Sequence, residues 1–256
     1  MIMNKIFIIP DVHGRTFWKK AYDLIDIMDK VIFLGDYLDP YSHENISSTK
    51  AISNFEEIIE FKKRYYDKVI LLIGNHDLHY WPQFKRWWGC RRIDSNFDYI
   101  SKLFLDNIDC FRVSYKLDKY LFTHAGVLNG WLKLINGDTK IGDSTYAELM
   151  GFPQPLITVD NLNDLLQIPY GLDMLFMVST ERGGDFTYGS CLWADVHEHL
   201  YPIKERRIPE IYQIFGHTMT YPEIHTEYIG PNFAMLDAQY CFTLDLDSGE
   251  FIKEDA

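Results

Sequence analysis

Cysteine is scarce and scattered in this sequence. The four present, Cys90, Cys110, Cys191 and Cys241, stand far apart without a CxxC pair, which argues against a zinc knuckle and against a disulfide framework. Long hydrophobic runs are missing as well. The N-terminal apolar stretch Ile6-Phe7-Ile8-Ile9 ends in Pro10-Asp11, too short for a membrane span or the core of a signal peptide. The expected compartment is a reducing cytoplasm, with no membrane partner. Positive charge is in deficit: 25 Lys and Arg against 37 Asp and Glu leave a net charge of −12. Such a chain repels polyanions, so no extended nucleic-acid surface is expected, while a small anionic substrate remains compatible. No internal repeat and no low-complexity linker is visible.

What the chain does have is core material. Across 256 residues, 47% are hydrophobic and 16% aromatic, enough to bury a core without staples. Three short apolar runs of strand type, 5–9, 31–34 and 69–73, each stop at a polar cluster. The clusters are Asp11-Val12-His13-Gly14, Gly35-Asp36 and Gly74-Asn75-His76-Asp77. Between the runs, 16–28 and 48–65 carry helical spacing, and strand, helix, strand in alternation predicts a parallel sheet. Ligands collect at the carboxyl ends of strands in such sheets, so the clusters are expected to converge.

Beyond Asn107 the pattern becomes hairpin-like. Runs 110–117 and 120–122 flank Asp118-Lys119, and the second leads into Thr123-His124-Ala125-Gly126. The stretch 127–198, rich in Gly, Asp and short helical runs such as 161–168, reads as a cap or insertion within one domain covering 1–256. Strand patterns return at 211–215, 224–228, 233–236 and 240–246, the first ending in Gly216-His217-Thr218.

Together the strand-end clusters offer Asp11, His13, Asp36, Asn75, His124 and His217, a set of carboxylate and amide oxygens with imidazole nitrogens. That mixture suits divalent Mn, Fe, Co, Ni or Zn rather than a thiolate zinc site. One tetrahedral ion does not need six ligands, whereas two ions bridged by one carboxylate use all six and keep positions open for water and substrate. Two ions about 3.5–4 Å apart are a recurrent solution for phosphate displacement.

The ordered motifs Asp11-Val12-His13-Gly14, Gly35-Asp36-Tyr37-Leu38-Asp39, Gly74-Asn75-His76-Asp77, His124-Ala125-Gly126 and Gly216-His217-Thr218 resemble those of calcineurin-like metallophosphoesterases. The resemblance spans most of the chain. It is greatest to the phosphoprotein phosphatase branch, because Tyr37 follows Asp36, Leu192-Trp193-Ala194-Asp195 is similar to that branch's Leu-Trp-Ser-Asp, and no ligand-type histidine follows Gly216-His217-Thr218. The tail 236–250 resembles the closing hairpin of bacterial members. The resemblance implies an α/β fold of two mixed β-sheets packed as a sandwich with helices outside. It also implies that Asp11 and His13 hold one metal ion, that Asn75, His124 and His217 hold a second, and that Asp36 bridges them, with manganese the favoured ion. His76 is then the general acid for the leaving group and Asp39 its partner, in an in-line attack by metal-bound hydroxide without a phosphoenzyme.

One departure stands out. Pro40 occupies the place where that branch has arginine, and Arg182, in Glu181-Arg182-Gly183-Gly184, is the candidate replacement for gripping substrate phosphate. His43, His79, His197, His199 and His225 are expected to be structural or surface residues. Tyr80-Trp81 and Trp87-Trp88, followed by Arg91-Arg92, are expected to pack, with a substrate rim or base-stacking platform as the alternative. The leading expectation is a phosphomonoesterase acting on phosphoserine or phosphothreonine in proteins. The alternatives are a dinucleoside polyphosphate or other nucleotide phosphoanhydride hydrolase, and a metal-binding scaffold without chemistry.

Overall fold

The apolar runs become buried strands. A computed structural model of the protein describes residues 4–82, 84, 93–138, 140–141, 144–145, 155–200, 208–218 and 227–254. In chain order the strands are β1 (Lys5–Ile9), β2 (Lys30–Phe33), β3 (Val69–Leu72), β4 (Phe111–Arg112), β5 (Tyr115–Leu117), β6 (Tyr120–Phe122), β7 (Lys140–Ile141), β8 (Ser144–Thr145), β9 (Tyr212–Phe215), β10 (Tyr228–Ile229), β11 (Phe233–Met235), β12 (Cys241–Asp245) and β13 (Phe251–Glu254). They divide between two units, one with the described residues up to Arg112 and from Asp237 onward, the other with those from Val113 to Leu236. Each unit carries one large mixed sheet, so the chain is α/β with two mixed sheets and helices, the expected class.

The first unit holds six strands in the order β13-β12-β1-β2-β3-β4. Strands β1 to β4 are parallel, while β12 runs antiparallel to β1 and β13 antiparallel to β12. Parallel neighbours need crossovers. These are a 3₁₀ turn Phe17–Lys20 with the helix Ala21–Leu24, the helix Ser48–Arg64, and the helix Phe97–Asp106. The Ser48–Arg64 helix shows how sequence builds such an element. Ser47 caps it by accepting from Lys50 N at 3.3 Å, Ala51, Ile52, Phe55, Ile58 and Ile59 form its buried stripe, and Lys62, Lys63 and Arg64 close it where the dipole favours cations. Phe55 stacks on Tyr37 at 5.2 Å, and burying each such ring contributes on the order of 2–3 kcal/mol.

The second unit holds five strands in the order β10-β11-β9-β6-β5. Its 127–198 stretch contains the helices Asn129–Ile135 and Gly171–Leu175, the β7–β8 hairpin and the start of the helix Val196–Leu200. Among the described residues it adds no strand to the five-stranded sheet.

Two expectations are corrected. The 16–28 segment is not one helix: Trp18, Ala21, Ile25 and Met28 are all buried, but Lys19 N bonds back to Thr16 O and Ile25 N to Ala21 O. Apolar periodicity over so few turns does not distinguish 3₁₀ from α hydrogen bonding. The 110–117 run is not one strand either. It breaks at Val113 and Ser114, whose N–H groups go to Asn163 Oδ1 at 2.8 and 3.1 Å, and β4 and β5 join different sheets. The short helical run expected at 161–168 is present as a 3₁₀ helix, Leu162–Leu166. Of the 224–228 run, 224–226 lie outside the described residues, and Tyr228 begins β10.

Candidate metal centre

In the first unit, β1, β2 and β3 are each followed closely by a site residue. Asp11, His13, Asp36, Asp39, Asn75 and His76 are all buried. Asp77 ties two of the loops together, accepting from Asp36 N at 2.8 Å, Tyr37 N at 3.0 Å and Gly74 N at 2.8 Å. Burial and the neighbouring Asp36 carboxylate push the Asp77 pKa up to about 8, while these three amides pull it down. Tyr37, after Asp36, donates its hydroxyl to Leu72 O at 2.7 Å. Gly74 is required by space, since a Cβ there would lie 2.1 Å from Asp36 Oδ1. His13, Asp36 and Asp39 adopt left-handed backbone conformations, with φ of 45°, 53° and 59°. Non-glycine residues in this region cluster at functional sites, where surrounding hydrogen bonds hold the strain.

Asp11, His13 and Asp36 present ligand atoms within 4.8 Å of one another. His13 Nδ1 lies 2.9 Å from Leu38 O, so it carries the proton and leaves the Nε2 lone pair facing Asp36 Oδ2 at 3.5 Å. Burial, outweighing the attraction of Asp36, pushes the His13 pKa down to about 3. A neutral imidazole oriented through its other nitrogen, beside two buried carboxylates, is the form in which a divalent cation is bound. The donor set fits such an ion.

His76 and Asp39 are brought together, with Nδ1 to Oδ2 at 2.9 Å. The His76 amide donates to Asp36 Oδ1 at 2.9 Å, so one turn, Asn75–Leu78, carries the expected acid and the expected ligand Asn75. Tyr80 and Trp81 are fully buried, which agrees with packing. Sequence reasoning missed a second role for Tyr80, whose hydroxyl donates to Asp39 Oδ1 at 2.5 Å. Its signal was a tyrosine one helical turn after His76. Trp87, Trp88, Arg91 and Arg92 lie outside the described residues.

In the second unit, β6 leads to His124 and β9 to His217. The two rings meet with His124 Nε2 3.1 Å from His217 Nδ1. Two nitrogens each about 2.1 Å from one ion, at angles between octahedral and tetrahedral, lie about 3.0–3.4 Å apart, so this pair also fits a shared cation. His217 again has positive φ, 68°. The loop after His124 is held by Gln213, which takes Val127 N at 2.6 Å and donates to Val127 O at 2.9 Å. His199 Nε2 meets Ala125 O at 3.1 Å.

Arg182 is placed beside His217. Its Nη2 donates to His217 O at 3.2 Å and to Thr218 Oγ1 at 2.7 Å, and its Nε pairs with Asp195 Oδ2 at 2.9 Å. The Leu192-Trp193-Ala194-Asp195 motif therefore supports His217 from two sides, since Trp193 also meets its ring edge-on at 5.9 Å. His197 is held by Asp195 at 2.7 Å, and His79 is buried. His225 lies outside the described residues.

The calcineurin-like phosphoesterase family model matches residues 4–221. No curated protein matches the chain. Among solved structures, the chain is similar to a protein serine/threonine phosphatase from Saccharomyces cerevisiae, at 13% identity and a TM-score of 0.48, covering 98% of this chain and 79% of that one. It is also similar to a metallophosphoesterase from Sphaerobacter thermophilus, at 12% identity and a TM-score of 0.40, covering 98% and 88%. With its ordered motifs inside a family match that runs through most of its length, this chain belongs to the calcineurin-like phosphoesterases, a family of phosphate-ester hydrolases.

Proposed function

We propose that the protein is a phosphomonoesterase that uses two divalent ions, with manganese the favoured metal and phosphoserine or phosphothreonine in proteins the favoured substrate. Asp11 and His13 would hold one ion, Asn75, His124 and His217 the other, and Asp36 both. The family match over residues 4–221 contains all six of these residues and supports the ligand set. When bound, such ions polarise the phosphoryl group and make water nucleophilic at neutral pH.

The observation that carries the monoester reading is the His76–Asp39 pair, 2.9 Å apart and buried. Asp39 Oδ2 is an acceptor in this contact, so Nδ1 of His76 donates to it. Nε2 is then the position from which a proton reaches the leaving oxygen. A serine or threonine alkoxide is a basic leaving group and needs that proton, a step general acid catalysis accelerates by roughly 10²–10⁴. The phosphate released from an anhydride is far less basic and gains less, so the pair favours a monoester over a dinucleoside polyphosphate. Burial of Tyr80 and Trp81 also removes one support for base stacking.

Arg182 is proposed to bind the substrate phosphate. It is 26% exposed, and a guanidinium has five N–H donors, more than its contacts to Asp195, Thr218 and His217 use. A reducing, cytoplasmic setting is proposed from the separated cysteines, of which Cys110, Cys191 and Cys241 are free and buried. Among the described residues, no helix is long and apolar enough to cross a membrane.

The deciding experiment is turnover of phosphopeptides, nucleotides, dinucleoside polyphosphates and phosphodiesters by the manganese-loaded protein. Highest kcat/KM on a phosphopeptide supports the proposal. Preference for a dinucleoside polyphosphate overturns the substrate assignment, and no turnover of any ester despite bound metal supports the scaffold alternative.

A further inference from the structure

The phenol oxygen of Tyr80 lies 2.5 Å from the backbone nitrogen of Ile93 and 2.5 Å from Asp39 Oδ1. The Ile93 amide can only donate, so it occupies a lone pair of the phenol oxygen. The phenol proton is thereby directed at the carboxylate, which when ionised only accepts. The other carboxylate oxygen, Oδ2, faces Nδ1 of His76 at 2.9 Å. Tyr80, Asp39 and His76 are all buried, and the turn after Asn75–Leu78 continues through His79 N to His76 O and Tyr80 N to Asp77 O. One stretch of chain thus presents both donors to one carboxylate.

This matters because the terminal torsion of aspartate is soft. A carboxylate held at a single oxygen can swing and carry the imidazole with it. Held at both oxygens its plane is fixed, and so is the direction of His76 Nε2. We propose that Tyr80 is a positioning residue for the general acid: acting through Asp39, it fixes the orientation in which His76 delivers its proton. The inference rests on the reading of His76 as the acid. Tyr80 also packs on Phe97 at 6.0 Å, a structural role that Tyr80→Phe preserves.

The test is a double-mutant cycle on the metal-loaded protein, with Tyr80→Phe, Asp39→Asn and both together, and His76→Asn as reference. Each is assayed on an alkyl phosphate and on p-nitrophenyl phosphate, with metal content recorded. Tyr80→Phe is expected to lower kcat on the alkyl ester about 3- to 10-fold at unchanged KM, with a loss at least about threefold smaller on the nitrophenyl ester. Added to Asp39→Asn it should cost nothing further, because the group it acts through is already altered. Should Tyr80→Phe not fold, Tyr80→Met carries the same expectation. Equal losses on both esters, or a full additional loss on the Asp39→Asn background, would overturn the role of Tyr80. If His76→Asn itself fails to discriminate the two esters, the acid reading falls and this inference with it. Discrimination by His76→Asn but not by Tyr80→Phe removes Tyr80 alone.

Discussion

The backbone amide of His76 donates to Oδ1 of Asp36 at 2.9 Å, across 40 residues of chain. The turn that carries the proposed acid therefore hangs on the proposed bridging carboxylate. Asp36→Asn offers one oxygen where two are needed, one for His76 N and one for metal. It is expected to lower metal occupancy and to reduce kcat by about 10²-fold or more, since partners even of a ligand are worth 10–100-fold, while circular dichroism stays close to the parent. Full activity with two bound metals would sink the bridging assignment.

Metal should stabilise this fold as well as activate it. Asp11 and Asp36 are buried with ligand atoms within 4.8 Å, and a cation relieves their repulsion. Adding manganese to chelator-stripped protein at about 100 times its dissociation constant should raise unfolding free energy by about 2.7 kcal/mol. The check is chemical denaturation with and without metal, and coincident curves would contradict it.

Two glycines make a paired test of space against strain. A Cβ on Gly74 meets Asp36 Oδ1 at 2.1 Å, whereas one on Gly183, at φ +76°, meets nothing within 4 Å. Gly74→Ala must displace the Asp36 carboxylate and is expected to lower kcat by roughly 10²-fold, the typical effect of a shift near 1 Å. Gly183→Ala should only lose about 1–2 kcal/mol of stability from left-handed strain. Similar activity losses in both would mean that the Asp36–Gly74 contact is not what matters.

Arg182 joins two jobs, holding His217 and Asp195 and, as proposed, gripping phosphate. Arg182→Ala is expected to weaken inhibition by inorganic phosphate about 10-fold or more, the equivalent of one charge-assisted hydrogen bond, and to raise KM. If phosphate inhibits the variant as strongly as the parent, Arg182 serves His217 and Asp195 only.

His76 and Asn75 are adjacent yet assigned different work, so their variants should part. His76→Asn is expected to keep both metals and to lose roughly 10²–10⁴ in kcat on alkyl phosphates. The loss should be smaller on p-nitrophenyl phosphate, whose leaving group carries its own charge. Asn75→Ala should lose metal. Metal content falling in step with rate in His76→Asn would end the general-acid role.

What the sequence determined by itself is local and periodic. The runs that become β1, β2 and β3, the stripe of the Ser48–Arg64 helix and the polar cluster after each strand were legible, because burial repeats along a strand or helix and Gly, Asp and Asn mark where it stops. The strand ends also named every candidate ligand. What only the tertiary structure decided depends on groups distant in the chain. The break within 110–117 falls where Val113 N and Ser114 N donate to Asn163, some fifty residues away. The clustering of Asp11, His13 and Asp36 depends on strand order, and Asp77 ties its own turn to a loop about forty residues earlier. Tyr80 read as core filling because an aromatic ring gives the same apolar signal whether or not its hydroxyl has a partner, and that partner, Asp39, lies 41 residues before it.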